Sequence, residues 1–193
     1  MFSATGANDG YPGGLKVTQG GTEAAGISGW DTALSTIAVS QGKWYAEFYI
    51  TGSGTPVYTM IGAAKAERFD LVIKTGGVYV GHSGSSGYSV SLYGQNGATY
   101  PAEDDGGTAN RFDAGDIISV ALDMDNQKIY WARDGSWLLS DNPASNNGYA
   151  IPWTGDTYFG VSQYDSDNGY GNFEYAPPTG YYALNTHNLN EFG

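Results

Sequence analysis

Residues 43–51, KWYAEFYIT, alternate so that Trp44, Ala46, Phe48 and Ile50 share one face while Glu47 lies on the opposite, solvated one, which is the period of a β-strand. Residues 116–124, DIISVALDM, repeat the pattern, with Ile118, Val120, Leu122 and Met124 facing one way and Ile117, Ser119, Ala121 and Asp123 the other. A turn at Asp125-Asn126-Gln127 joins that strand to 128–133, KIYWAR, as a β-hairpin. Asp134-Gly135 is a second tight turn, because glycine takes the left-handed conformation of such a turn without steric cost, and it leads into 136–139. Shorter runs at 15–17, 33–39, 60–64, 70–74, 78–81, 88–93, 149–153, 158–163 and 172–175, set off by Gly, Pro, Asn and charged residues, predict further strands. No window of about 11 residues, the length of an average helix, carries apolar positions at helical spacing. Pro177-Pro178 stops the sheet, having no N–H to give to a ladder. The pattern therefore predicts an all-β fold, a two-sheet antiparallel sandwich over 15–184. A loose polar leader at 1–14 precedes it, and an extended C-terminal tail at 185–193 follows.

Composition narrows the class. A chain of 193 residues reads as one domain, and 30 Gly with 16 Tyr in it belong to a turn-rich β protein. The net charge of −12 has the wrong sign for neutralising phosphates or anionic lipid, so neither a nucleic-acid partner nor membrane insertion is expected. With no Cys there is no disulfide, thiolate metal site or thiol nucleophile. The opening MFSATGANDG has neither the basic nor the apolar part of an export signal, and no run approaches the roughly 18 apolar residues of a membrane span.

Catalytic chemistry finds little footing. Asp123 and Asp125, two apart on a strand, would place carboxylates about 7 Å from each other, as a glycan-cleaving enzyme requires. They sit where a strand enters a tight turn, however, and turn Asp caps its own backbone. Only His82 and His187 could serve a nucleophilic triad, and neither lies near a Gly-x-Ser-x-Gly elbow. No phosphate-cradling Gly-x-x-x-x-Gly-Lys run is present. Asp165 and Asp167, like Glu103, Asp104 and Asp105, offer hard oxygens in loops, yet neither run has the twelve-residue ligand series of an EF-hand. No cofactor is expected; were an ion bound, Ca2+ at Asp165 and Asp167 would be the candidate. The stronger hint is aromatic. Tyr93, Tyr100, Trp153, Tyr164 and Tyr170 fall among Ser, Gly, Asn and Asp, and exposed rings on adaptable loops are the chemistry of protein-binding and sugar-binding surfaces. These five are the candidate ligand-binding residues. Beyond the prolines, Tyr181, Tyr182 and Leu184 are expected to pack back across the sandwich. Leu189 and Phe192 lie further on, among Asn and Thr that favour turns over a helix, and are expected to be covered by a neighbouring subunit.

Three blocks carry a family likeness: GKWYAEFYI at 42–50, AGDIISVALDMDNQKIYWARDGSWL at 114–138 and GNFEYAPPTGYYAL at 171–184. In this order they resemble the SPRY domain, with its Gly-Lys-Trp-Tyr strand, its apolar strand ending Leu-Asp-x-Asp and its terminal Asn-Phe-x-x-x-Pro-Pro-x-Gly-Tyr. The likeness spans residues 44–182. It departs from animal SPRY domains in having Asp134-Gly135 where Asn-Gly is common, and in lacking a PRY segment before Trp30. It implies a bent, concanavalin-like jelly-roll sandwich whose loops at one end bind a partner. The ending PPTGYYALNTHNL resembles the stretch that closes SPRY-like domains in tailed-phage and prophage proteins. The function this implies is a non-enzymatic binding or structural module of a phage particle, in a tail fibre, appendage or capsid-surface protein. Its partners would be other virion proteins or a host-surface protein or glycan, and it would act as a homo-oligomer in the virion. The alternatives are a free-standing lectin-like or adaptor module and, in another class, a glycan-cleaving enzyme on a sandwich fold.

Overall fold

The computed structural model describes residues 16–18, 23–25, 30–51, 57–68, 79–81, 87–102, 106–164, 167–169 and 174–192. In chain order the strands are β1 (Lys16–Thr18), β2 (Glu23–Ala25), β3 (Trp30–Val39), β4 (Lys43–Tyr49), β5 (Thr59–Lys65), β6 (Ser89–Tyr93) and β7 (Thr99–Tyr100). They continue as β8 (Ile117–Asp123), β9 (Lys128–Arg133), β10 (Ser136–Trp137), β11 (Tyr149–Ala150), β12 (Thr157–Tyr164), β13 (Asp167–Gly169) and β14 (Tyr182–Ala183), followed by one helix, α1 (Thr186–Phe192). The larger sheet runs β1-β2-β13-β4-β8-β9-β10, with β11 on β9 and β14 on β4; the smaller runs β3-β12-β5-β6-β7. Pairing is antiparallel except that β14 lies parallel to β4. The all-β sandwich is as the alternation predicts.

The core lies between the sheets. Trp44, Phe48, Ile118, Val120, Leu122 and Trp131 from the larger sheet meet Ala33, Ile61, Leu92, Phe159 and Val161 from the smaller. Full burial of one such side chain stabilises the fold by about 1.5–3 kcal/mol, so the inward faces of β4 and β8 decide how the sheets close. The Trp131 indole N–H donates to the Ile61 carbonyl at 2.8 Å, a polar tie across the sandwich.

The outward faces depart from expectation, because irregular segments lie over part of each. Residues 79–81, read as part of a strand, instead form a turn that crosses the smaller sheet. Residues 174–181 carry no strand and form a strap over the larger sheet, so Glu47 is 2% exposed rather than solvated. The tail is corrected as well. Residues 186–192 form α1 because Asn185 caps it, its Oδ1 accepting the Asn188 N–H at 2.9 Å, as an Asn before the first helical turn does. The Asn188 amide donates back to the Ala183 carbonyl at 2.8 Å. Leu189 is then half-buried against the main core, beside Val39 and Trp44, so its own sandwich covers part of it. The expected leader at 1–14 and strand at 70–74 lie outside the described residues.

Candidate functional site

Strand parity assembles the first candidate surface. On β12 the odd residues Phe159 and Val161 point into the core, so Tyr164 faces outward with Tyr158 and Ser162. Register places Trp30 of β3 opposite Tyr164, and the Tyr164 N–H donates to the Tyr58 carbonyl at 2.8 Å on the other side. Three aromatic residues therefore stand in one row across the smaller sheet. Ring centroids are 6.0 Å apart for Trp30 and Tyr164 and 6.2 Å for Tyr58 and Tyr164, tilted in both cases, the geometry aromatic pairs favour. Tyr79, from the crossing turn, lies 4.8 Å from Trp30 and 6.2 Å edge-on from Tyr100. Tyr93 fills the base, 5.6 Å from Trp30 and 5.7 Å from Tyr100. Burial, then the neighbouring Tyr100, pushes the Tyr93 phenol up to about 12, so it stays neutral throughout the physiological range. Tyr58 and Tyr164 are 47% and 42% exposed and form the wet surface of the group.

The platform under these rings is a floor of buried hydroxyls. Ser162 Oγ accepts the Val80 N–H at 2.8 Å and shares a proton with Thr32 Oγ1 at 2.7 Å. Ser89 Oγ accepts the Gly81 N–H at 2.8 Å, and Ser91 Oγ donates to the Val80 carbonyl at 2.7 Å. Small hydroxyl side chains at alternate positions let a backbone lie flat on the sheet and meet its hydrogen-bonding needs without water. Gly81 makes the close approach possible: its φ is +87°, and an added Cβ would stand 2.5 Å from Ser91 Oγ.

The predicted ring residues divide. Tyr93, Tyr100 and Tyr164 come together in this cluster, with only Tyr164 strongly exposed. Trp153 does not join them. It is 5% exposed within the main core, its indole N–H donating to Thr157 Oγ1 at 2.9 Å, and is a core residue. Tyr170 and Asp165 lie outside the described residues, and only the backbone of Asp167, in β13, is described. Among the described residues no group of three His, Asp or Glu side chains is placed to hold a metal ion. Trp30, Tyr58 and Tyr79 escaped the reading; the available signal was their parity with Tyr164 once β3, β5 and β12 were paired.

The second candidate surface is the outer face of the larger sheet. Glu47 Oε2 accepts the Glu174 N–H at 2.7 Å and Oε1 the Tyr175 N–H at 3.0 Å, so one carboxylate clamps the strap. The Tyr45 hydroxyl stands 2.6 Å from Glu47 Oε1 and 2.8 Å from Ser119 Oγ. Burial first, then the hydrogen bond to Glu47, drives the Tyr45 phenol well above its ordinary value. Further along, Tyr181 is packed with Tyr45, Ala121 and Tyr130, and the Lys43 ammonium lies 5.5 Å over its ring. Between strap and sheet a cleft of about 210 Å3 remains, lined by Tyr45, Ser119, Ala132, Gly135, Trp137 and Tyr175 among others.

Both hairpin carboxylates cap backbone, Asp123 within its own turn as turn chemistry predicts and Asp125 across to the neighbouring turn at Gly42 instead. Asp123 Oδ1 accepts the Asn126 N–H at 3.0 Å, and Asp125 Oδ1 accepts the Gly42 N–H at 2.8 Å. Lys43 Nζ is 2.8 Å from Asp123 Oδ2, an ion pair beneath the strap that the sequence did not reveal.

No protein-family model matches this sequence, and no curated relative matches it. Among solved structures the fold is similar to the SPRY domain of human HERC1, at 17% identity and a TM-score of 0.66, over 91% of this chain and 100% of that one. The chain thus has a SPRY-type sandwich fold.

Proposed function

We propose that this chain is a non-enzymatic binding module that attaches a phage particle's surface protein, in a tail fibre, appendage or capsid decoration, to another virion protein or to a host-surface molecule. The observation that carries it is the row Trp30, Tyr164 and Tyr58, in which two tyrosines are nearly half exposed on the outer face of the smaller sheet. Tyr and Trp give large contact area at small conformational cost, which is why they dominate protein contact surfaces. The SPRY-type fold supports the reading, and the phage setting rests on the likeness of the closing stretch to phage proteins. A homo-oligomeric arrangement remains part of this reading, with Phe192 and the open side of Leu189 as its contact. A lectin-like module would use the same rings on a glycan. The glycan-cleaving alternative needs two carboxylates open to one cleft, whereas Asp123 is 1% exposed and paired with Lys43.

Quantitative mass spectrometry of purified particles from the phage that carries this gene tests the setting. The chain should be present at a fixed copy number per particle. Its absence from particles, with the protein free in the lysate, would overturn the virion reading and leave the free-standing module.

A further inference from the structure

We propose that the cleft between the strap and the larger sheet is a receptor for a cationic side chain, an arginine guanidinium above all, presented by a partner protein. The partner's being a protein rests on the binding function proposed above; the cleft's preference for a cation does not.

The argument begins with Glu47. A carboxylate 2% exposed is costly to bury without a counter-charge, and among the described residues no Lys, Arg or His pairs with it. Its three hydrogen bonds, from Tyr45 and from the backbone of Glu174 and Tyr175, satisfy geometry but leave a net negative charge just behind the cleft floor.

That carboxylate also sets the direction of the protons. Tyr45 has one hydroxyl proton and two close oxygens; a carboxylate can only accept, so the proton goes to Glu47 and Ser119 must give its own to the phenol oxygen. Ser119, a lining residue, then offers the cleft lone pairs and no donor. The occupant has to bring N–H or O–H groups. The walls suit a flat cation on an aliphatic stem: Trp137 and Tyr175 line them with aromatic rings, and Ala132, Ala176 and Pro178 supply apolar surface. No lysine or arginine lines the cleft, and the chain's net charge of −12 draws cations toward it. Guanidinium has donors only, is weakly hydrated and stacks on aromatic rings, which matches each wall. A neutral sugar would bring hydroxyls but no charge to answer Glu47, and an apolar side chain would strand the Ser119 lone pairs.

The test is a titration followed through the Trp137 indole N–H resonance, with three probes: N-acetyl-arginine methylamide, its neutral isostere N-acetyl-citrulline methylamide, and methyl α-glucopyranoside. Arginine should give a saturable shift and bind about tenfold more tightly than citrulline, the ratio one desolvated cation–π contact supports, with no shift from the glucoside. In Glu47→Gln the preference for arginine over citrulline should vanish. Should that variant fail to fold, Tyr175→Ala, which leaves the strap's backbone bonds to Glu47 in place, should weaken arginine binding severalfold. Equal binding of arginine and citrulline, a response to the glucoside alone, or no saturable shift from any probe overturns the proposal. Failure here with particle attachment intact removes the cleft and not the module.

Discussion

The carboxylate of Glu47 accepts the backbone N–H of Glu174 at 2.7 Å, across 127 residues of sequence, and so fastens the strap to the middle of the larger sheet. Replacing Glu47 by Gln keeps one acceptor and sets an amide N–H2 against donors already in place, orphaning at least one buried group at a cost of about 1–3 kcal/mol. The urea midpoint of Glu47→Gln should fall with little change in slope. An unchanged midpoint would mean that β14 and Tyr181 hold the strap unaided.

The pH dependence follows from two sets of groups. Burial alone would raise the Asp123 carboxyl, but hydrogen bonds from Lys43 and Asn126 overturn this and hold it below the usual range; the bond to Asp123 in turn raises the Lys43 ammonium. A depressed carboxyl contributes stability that is whole above its unfolded value of about 3.9 and is lost as pH falls through its folded value. A raised ammonium contributes fully below about 10.4 and loses that as pH rises through its folded value. The stability difference between wild type and Lys43→Met should therefore be flat from about pH 5 to about pH 9 and shrink in acid. The buried phenols set the alkaline limit. Burial raises Tyr45, Tyr93, Tyr130 and Tyr181, so their stabilisation is whole below about pH 10 and declines as the pH rises through their folded values. Melting curves should drop above pH 10, together with the appearance of tyrosinate absorbance. A melting temperature still level at pH 11 would contradict this.

Trp153 and Tyr164 should part company under mutation. Trp153→Ala empties a core site and removes the partner of Thr157, at about 3–5 kcal/mol, whereas Tyr164→Ala at an exposed ring should stay within about 1 kcal/mol. Equal effects on thermal unfolding would mean that the ring row is part of the core.

What was legible in the sequence was whatever depended on one strand at a time. The alternation of Trp44, Ala46, Phe48 and Ile50, and of Ile118, Val120 and Leu122, was visible because each face is uniform over its own strand, and all seven are buried between the sheets. Glu47 was misread because a lone charge at an alternate position looks like a solvated one until a distant segment covers it. Trp153 and Tyr164 sit in equally polar local sequence, and only the packing separates them. The row of Trp30, Tyr164 and Tyr58 needs the register between β3, β12 and β5, which no single stretch encodes. The helix α1 is seven residues long, below the span at which periodicity speaks, and owes its form to the Asn185 cap and the docking of Leu189.

The central claim is that Tyr58 and Tyr164 form a contact surface and not a structural one. On the proposal that the chain is part of a phage particle, the most direct measurement puts Tyr58→Ala/Tyr164→Ala into the gene and compares the chain's copy number in purified particles with the melting temperature of the isolated protein. The account predicts a melting temperature within a few degrees of wild type, for a cost of about 1 kcal/mol, and loss of the variant from particles or of the particles' adsorption to host cells. Wild-type copy number together with wild-type adsorption in the double variant would contradict it.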